Sequence, residues 1–107
     1  MESHDNPVIV EVPGQAPYIL TSVAAAEGYL EGVDVRNGEY PSAYCLDGTP
    51  LTLSSDGHDQ VIIMGSDLPR DPNAVRNLLM EGLRRSGISF DPDATVAELV
   101  ALLPKTR

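Results

Sequence analysis

The sequence predicts an α+β fold, an antiparallel β-meander packed against about three α-helices, with residues 1 to 107 forming one domain. Three observations predict it. Short β-branched runs suit strands, two Asp-Gly dipeptides suit tight turns, and the C-terminal third carries apolar residues at helical spacing with cap residues of its own. A chain of this length can bury roughly two thirds of its unfolded surface. Its apolar content of 42% is well above that of disordered chains, so one core is expected without help from metal or disulfide.

Residues 1 to 6 are polar and read as a frayed end. Val8, Ile9, Val10 and Val12 form a β-branched strand, broken by Pro13-Gly14. Tyr18 to Leu20 is a second apolar piece. Thr21 or Ser22 can cap a helix through about Glu31, with Val23, Ala26 and Leu30 inward and Gly32 as its stop. Asp47-Gly48 accepts the positive φ angles of a hairpin turn. A two-residue loop there pairs Leu46 with Thr49 and Tyr44 with Leu51, which puts Tyr40, Tyr44, Leu46, Leu51 and Leu53 on one buried side. A second turn at Ser54 to Asp59 leads to a strand at Gln60 to Met64, whose continuous apolar run predicts a central position covered on both faces.

Asp71-Pro72 opens the next helix, aspartate as cap and proline at the first helical position. Val75, Leu78, Leu79 and Leu83 form its buried stripe, Arg84 and Arg85 complement the dipole, and Gly87 with Ile88 closes the end. Thr95 and Glu98 have capping-box spacing, with Val96, Leu99, Val100 and Leu103 as the apolar face before Pro104.

Charge divides the chain. The formal net is -9, yet residues 1 to 67 hold eleven acids against the single base Arg36, a net of -10, while residues 68 to 107 carry +1. Such a field repels nucleic acid and anionic lipid and steers a basic partner into contact. Neither nucleic-acid nor membrane binding is therefore expected, and no apolar run approaches the ~20 residues of a membrane span. The one cysteine, Cys45, cannot form an internal disulfide, and the N-terminus lacks a basic, apolar leader, so a cytoplasmic location is expected.

Side chains with chemistry are few. His4 and His58 are too few for a histidine-based triad or metal centre, and Asp56-Gly57-His58-Asp59 reads as a solvated turn lacking the spaced ligands of a calcium loop. Gly28, Gly32 and Gly38 are scattered where a phosphate loop would cluster them. Cys45 has no base beside it to generate thiolate and reads as a packing residue. Arg76, Arg84 and Arg85 are expected to pair with Glu81 or the acidic sheet. Tyr18, Tyr29, Tyr40 and Tyr44 are candidate interface anchors, with Tyr44 assigned to the core by the hairpin register. No catalytic residue, metal ligand or cofactor is expected.

The stretch YLEGVDVRNGEY followed by YCLDGTPLTL, residues 29 to 53, resembles a loose group of small bacterial proteins, some of them immunity-type partners encoded beside toxins. Its pattern is a helix ending in Tyr-Leu, an Asp-Val turn, an Asn-Gly-Glu-Tyr strand entry and an Asp-Gly hairpin. The resemblance covers about a quarter of the chain and implies no catalytic residue.

The function expected from these features is a non-catalytic acidic protein that engages a basic protein partner, immunity- or inhibitor-like, through Glu27, Glu31, Asp34 and Glu39. Glu27 and Glu31 stand four apart on one predicted helix, a like-charge pair that a positive partner would relieve. Two alternatives differ in class. One is a small enzyme with paired carboxylates in a cleft near the 54 to 59 turn; the other is a structural or regulatory subunit, monomer or weak homodimer, pairing through an edge strand such as Val8 to Val12.

Overall fold

The computed structural model describes residues 6 to 57 and 59 to 106. The expected fraying of residues 1 to 6 therefore falls, Asn6 apart, outside the described residues, as do His4 and His58. Five strands, β1 (Val8–Val10), β2 (Tyr18–Leu20), β3 (Ala43–Cys45), β4 (Pro50–Ser55) and β5 (Val61–Gly65), make one antiparallel sheet in the order β2-β1-β3-β4-β5. Four helices accompany them: α1 (Val23–Tyr29), α2 (Gly32–Arg36), α3 (Pro72–Arg85) and α4 (Val96–Leu102). The fold is α+β, with the expected β3-β4-β5 meander.

Alternation along β1 explains the layers. Successive strand side chains point to opposite faces, and Val8, Ile9 and Val10 are all fully buried, so both faces of the sheet are covered at this strand. Ile9 and Ile19 join Val75, Leu79, Leu83, Leu99, Val100 and Leu103 on the α3/α4 side. Val8, Val10 and Leu20 join Ala26, Leu30, Ala43, Val61 and Ile63 on the α1 side, with Val35 of α2 packed against them.

The caps follow local chemistry. Asp71 accepts a hydrogen bond from the Ala74 amide ahead of Pro72, and Thr95 and Glu98 form both bonds of a capping box. Past α3, the Ile88 amide donates to the Leu83 carbonyl and the Gly87 amide to Arg84, with Gly87 at φ 70°, the reciprocal pattern that closes a helix through a left-handed glycine.

Three expectations are corrected. First, the hairpin register shifts by one residue: Ala43 pairs with Leu51 and Tyr44 with Pro50. The Asp47 carboxylate accepts from both the amide and the hydroxyl of Thr49 (2.9 and 2.7 Å), and the Cys45 amide donates to the Thr49 carbonyl, giving a three-residue loop with Gly48 at φ 91°. Those bonds from Thr49 hold the Asp47 carboxyl below its ordinary pKa. Tyr44 and Leu46 consequently pack on the α3/α4 side, and Tyr40, Leu51 and Leu53 on the other.

Second, β5 is an edge strand, not a central one. Val61 and Ile63 are buried, whereas Ile62 and Met64 face solvent at 38% and 63% exposure. Third, Val8–Val10 is interior, between β2 and β3, so it cannot serve as a dimerisation edge. Both true edges carry a covering contact. The Thr106 hydroxyl accepts from the Ile19 amide of β2 at 2.9 Å while the Thr106 amide donates to the Ile19 carbonyl at 2.8 Å, and the Glu27 carboxylate accepts from the Ile63 amide of β5 at 2.9 Å. Occupied edge groups discourage strand addition by another chain.

Candidate functional site

On the α1/α2 side, three tyrosines from three elements converge. Tyr18 comes from β2, Tyr29 from the end of α1 and Tyr40 from the approach to β3; the Tyr18 and Tyr29 rings meet edge-to-face at 5.2 Å, and Tyr40 lies tilted 6.1 Å from Tyr18. Each is half-buried. The Tyr40 hydroxyl donates to Asp34 at 3.4 Å, and its pKa is pushed up to about 12, first by burial and then by the Asp34 charge, with Tyr18 and Glu31 adding. The phenol is thus a proton donor throughout the physiological range. Glu31 and Glu39 are exposed beside this group, and the Glu39 amide is tied to the Asp34 carbonyl at 3.0 Å.

Three of the four acids expected to meet a partner, Glu31, Asp34 and Glu39, therefore surround an aromatic cluster. The fourth does not. Helix α1 ends at Tyr29, Leu30 turns inward as an extended C-cap, and Glu31 stands, without a side-chain capping bond, at the N-cap position of a new helix that begins at Gly32. Glu27 and Glu31 are consequently not one turn apart on a common helix, and the Glu27 carboxylate is engaged at the β5 edge. Glu27→Ala is expected to lower stability by about 1 kcal/mol, with Glu27→Gln retaining most of it, because an accepting oxygen survives. Denaturant midpoints and exchange of the Ile63 amide check this; equal exchange in wild type and Glu27→Ala would place that amide's protection elsewhere.

The only base in the acidic stretch is spoken for. Arg36 donates to the Ser55 hydroxyl at 2.8 Å and to Asp59 at 3.2 Å, tying α2 to the β4–β5 turn. A hollow of about 330 Å³ opens beside this tie, lined by Gly28, Tyr29, Leu30, Glu31, Val33 and Asp59. Aromatic, aliphatic and anionic walls together match the stem and head of a lysine or arginine side chain.

The opposite side of the sheet carries a cleft of about 390 Å³ between the floor Glu11, Ser42, Tyr44 and the α3 wall of Ala74, Asn77, Leu78, Met80, Glu81 and Arg84. Two carboxylates line it, Glu11 and Glu81, as Glu31 and Asp59 line the hollow beside the 54 to 59 turn where a cleft was expected. At that turn, Asp59 pairs with Arg36. Among the described residues no group of three or more His, Cys, Asp or Glu is placed to hold a metal ion. Cys45 is half-buried, and burial, with the Asp47 charge, pushes its thiol pKa up, which suits a packing residue. Arg84 and Arg85 pair with Glu81, as expected, and Arg76 donates to the Ala94 and Pro92 carbonyls, fastening α3 to the approach of α4. No helix among the described residues is long and apolar enough to cross a membrane.

Tyr18, Tyr29 and Tyr40 were among the candidate anchors in the sequence, but their convergence had no signal there, since they come from separate elements and meet only through the fold. The chain matches no known family, no curated protein and no solved structure.

Proposed function

We propose that this protein is a non-catalytic binding protein that engages a basic protein partner, in the manner of an immunity protein or inhibitor, through Tyr18, Tyr29 and Tyr40 with Glu31, Asp34 and Glu39 around them. The observation that carries this reading is the coincidence of the aromatic cluster with three of the chain's acids. Half-buried tyrosines supply contact area at little entropic cost, and their faces attract lysine or arginine heads. The acids steer association, and with Arg36 held by Ser55 and Asp59 the surface presents little positive charge to oppose it.

The test begins with a partner recovered from the protein's own host at low salt and released at high salt. Stopped-flow association is then measured across a salt series for wild type and for Glu31→Lys/Glu39→Lys. Both side chains are exposed, so the double reversal is expected to leave the melting temperature unchanged. It should slow association by about tenfold or more and flatten the salt dependence, because the steering charges are those screened beyond about 8 Å at physiological ionic strength. A partner whose association ignores both the reversal and the salt would reduce the acidic surface to a solubility device.

A further inference from the structure

On the sheet face opposite the tyrosines, the cleft between β1, β3 and α3 holds polar groups that the fold leaves unused. Its floor is laid by the register: Ile9 pairs with Tyr44, and two residues further the Glu11 amide donates to the Ser42 carbonyl. The Ser42 hydroxyl donates to Glu11 Oε1 at 2.7 Å, which orients the carboxylate while leaving its second oxygen available. No described base stands within ion-pair distance of Glu11. The other carboxylate, Glu81, is differently placed, since Arg84 and Arg85 both reach it at 3.4 Å. Arg84 also lies over the Phe90 ring, 5.6 Å from its centroid.

Two further side chains line the same cleft, Tyr44 and Asn77, and neither the Tyr44 hydroxyl nor the Asn77 amide hydrogen-bonds to another described residue. Among the residues that line the cleft two carboxylates, Glu11 and Glu81, stand against the one guanidinium of Arg84, and Tyr44, Asn77 and Glu11 each offer an acceptor oxygen. A primary ammonium carries one positive charge and three donors. Ala74, Leu78 and Met80 supply apolar wall for a short hydrocarbon body, and a volume of about 390 Å³ lies in the range of small-ligand sites.

We propose that this cleft binds an alkylammonium group, with Glu11 as counter-ion, Tyr44 and Asn77 as acceptors and the Leu78/Met80 wall holding the attached chain. An anionic ligand is disfavoured there, because the two carboxylates of the lining outnumber its one guanidinium. The site lies across the sheet from the proposed partner surface and does not depend on it.

Phenethylammonium chloride is the probe, titrated into the full chain and followed by amide chemical shifts, with 3-phenylpropionate at equal ionic strength as the anionic control. The expected result is saturable shifts at Ser42, Tyr44, Asn77 and Leu78 with a dissociation constant of about a millimolar, as befits a ligand of few heavy atoms. Glu11→Gln should weaken binding about tenfold, the scale of one charge-assisted hydrogen bond, with the rest of the spectrum retained. Glu31→Lys should leave binding unchanged. Nα-acetyl-lysine methylamide, run in parallel, tells the source of the ammonium: tighter binding than phenethylammonium supports a polypeptide lysine, weaker binding a free amine. Shifts centred on Tyr18, Tyr29 and Tyr40, equal binding of the anion, absence of saturation, or an affinity indifferent to Glu11→Gln would each overturn the proposal.

Discussion

Gly48→Val is expected to cost the domain about 3 kcal/mol or more, enough to unfold a protein of ordinary marginal stability. Two independent penalties meet at this residue. Gly48 has φ 91°, a conformation from which a β-branched side chain is excluded at about 1 to 2 kcal/mol. It is also buried against the start of α3: a Cβ would sit 2.5 Å from the Pro72 nitrogen and 2.8 Å from the Asp71 carbonyl carbon. Neither is the tip of a flexible side chain, so the helix itself must shift. That shift would strain the bond from the Asp71 amide to the Gly48 carbonyl, now 2.8 Å, and the seating of Val75, Leu79 and Leu83, and overpacking of this kind costs about 1 to 3 kcal/mol more. Urea denaturation measures the sum. A Gly48→Val midpoint equal to wild type would mean that loop and helix are not packed together.

The same loop marks the boundary of what local sequence reasoning can reach. Asp47-Gly48 announces a turn because its requirement, a positive φ at glycine, is local. The loop length depends on a choice the dipeptide does not encode, whether the Asp47 carboxylate turns to Thr49; it does, and the register moves by one, carrying Tyr44 to the far side of the sheet. The helix caps at Asp71 and Thr95 and the glycine closure at Gly87 were legible for the same reason, since donors and acceptors lie within a few residues. Strand β5 was misread because a continuous apolar run is compatible with a buried centre and with an edge whose outer residues stay exposed. Of the candidate site, the acids were legible as charge, but their arrangement was not. Gly32 ends one helix only in the sense that it begins another, and that break removed Glu27 from the surface it was expected to share with Glu31.

Gly32→Val is expected to weaken partner binding through geometry alone, with no change of charge, while lowering stability by about 2 kcal/mol. Gly32 is buried at the first position of α2, and its φ is not positive, so the objection to a side chain there is purely steric. A Cβ would stand 2.5 Å from the Asp59 Cα, 2.7 Å from the Asp59 carbonyl carbon and 2.6 Å from the Ser55 hydroxyl. Helix α2 must then lift from the β4–β5 turn, which breaks the two bonds Arg36 makes to Ser55 and Asp59. Glu31 and Asp34 flank Gly32 and would move with the helix, taking Asp34 away from the Tyr40 hydroxyl and opening the hollow beside Tyr29. Slower association and faster dissociation of the recovered partner should accompany the loss of stability. Gly65→Ala is the matched control: Gly65 ends β5, outside the hollow, with no atom near its would-be Cβ, and alanine there should stabilise by about 0.5 to 1 kcal/mol and leave binding intact. If Gly32→Val instead binds and melts like wild type, the turn yields freely to the new side chain, and the placement of Glu31 and Asp34 around the tyrosines is not set by the contact between α2 and that turn.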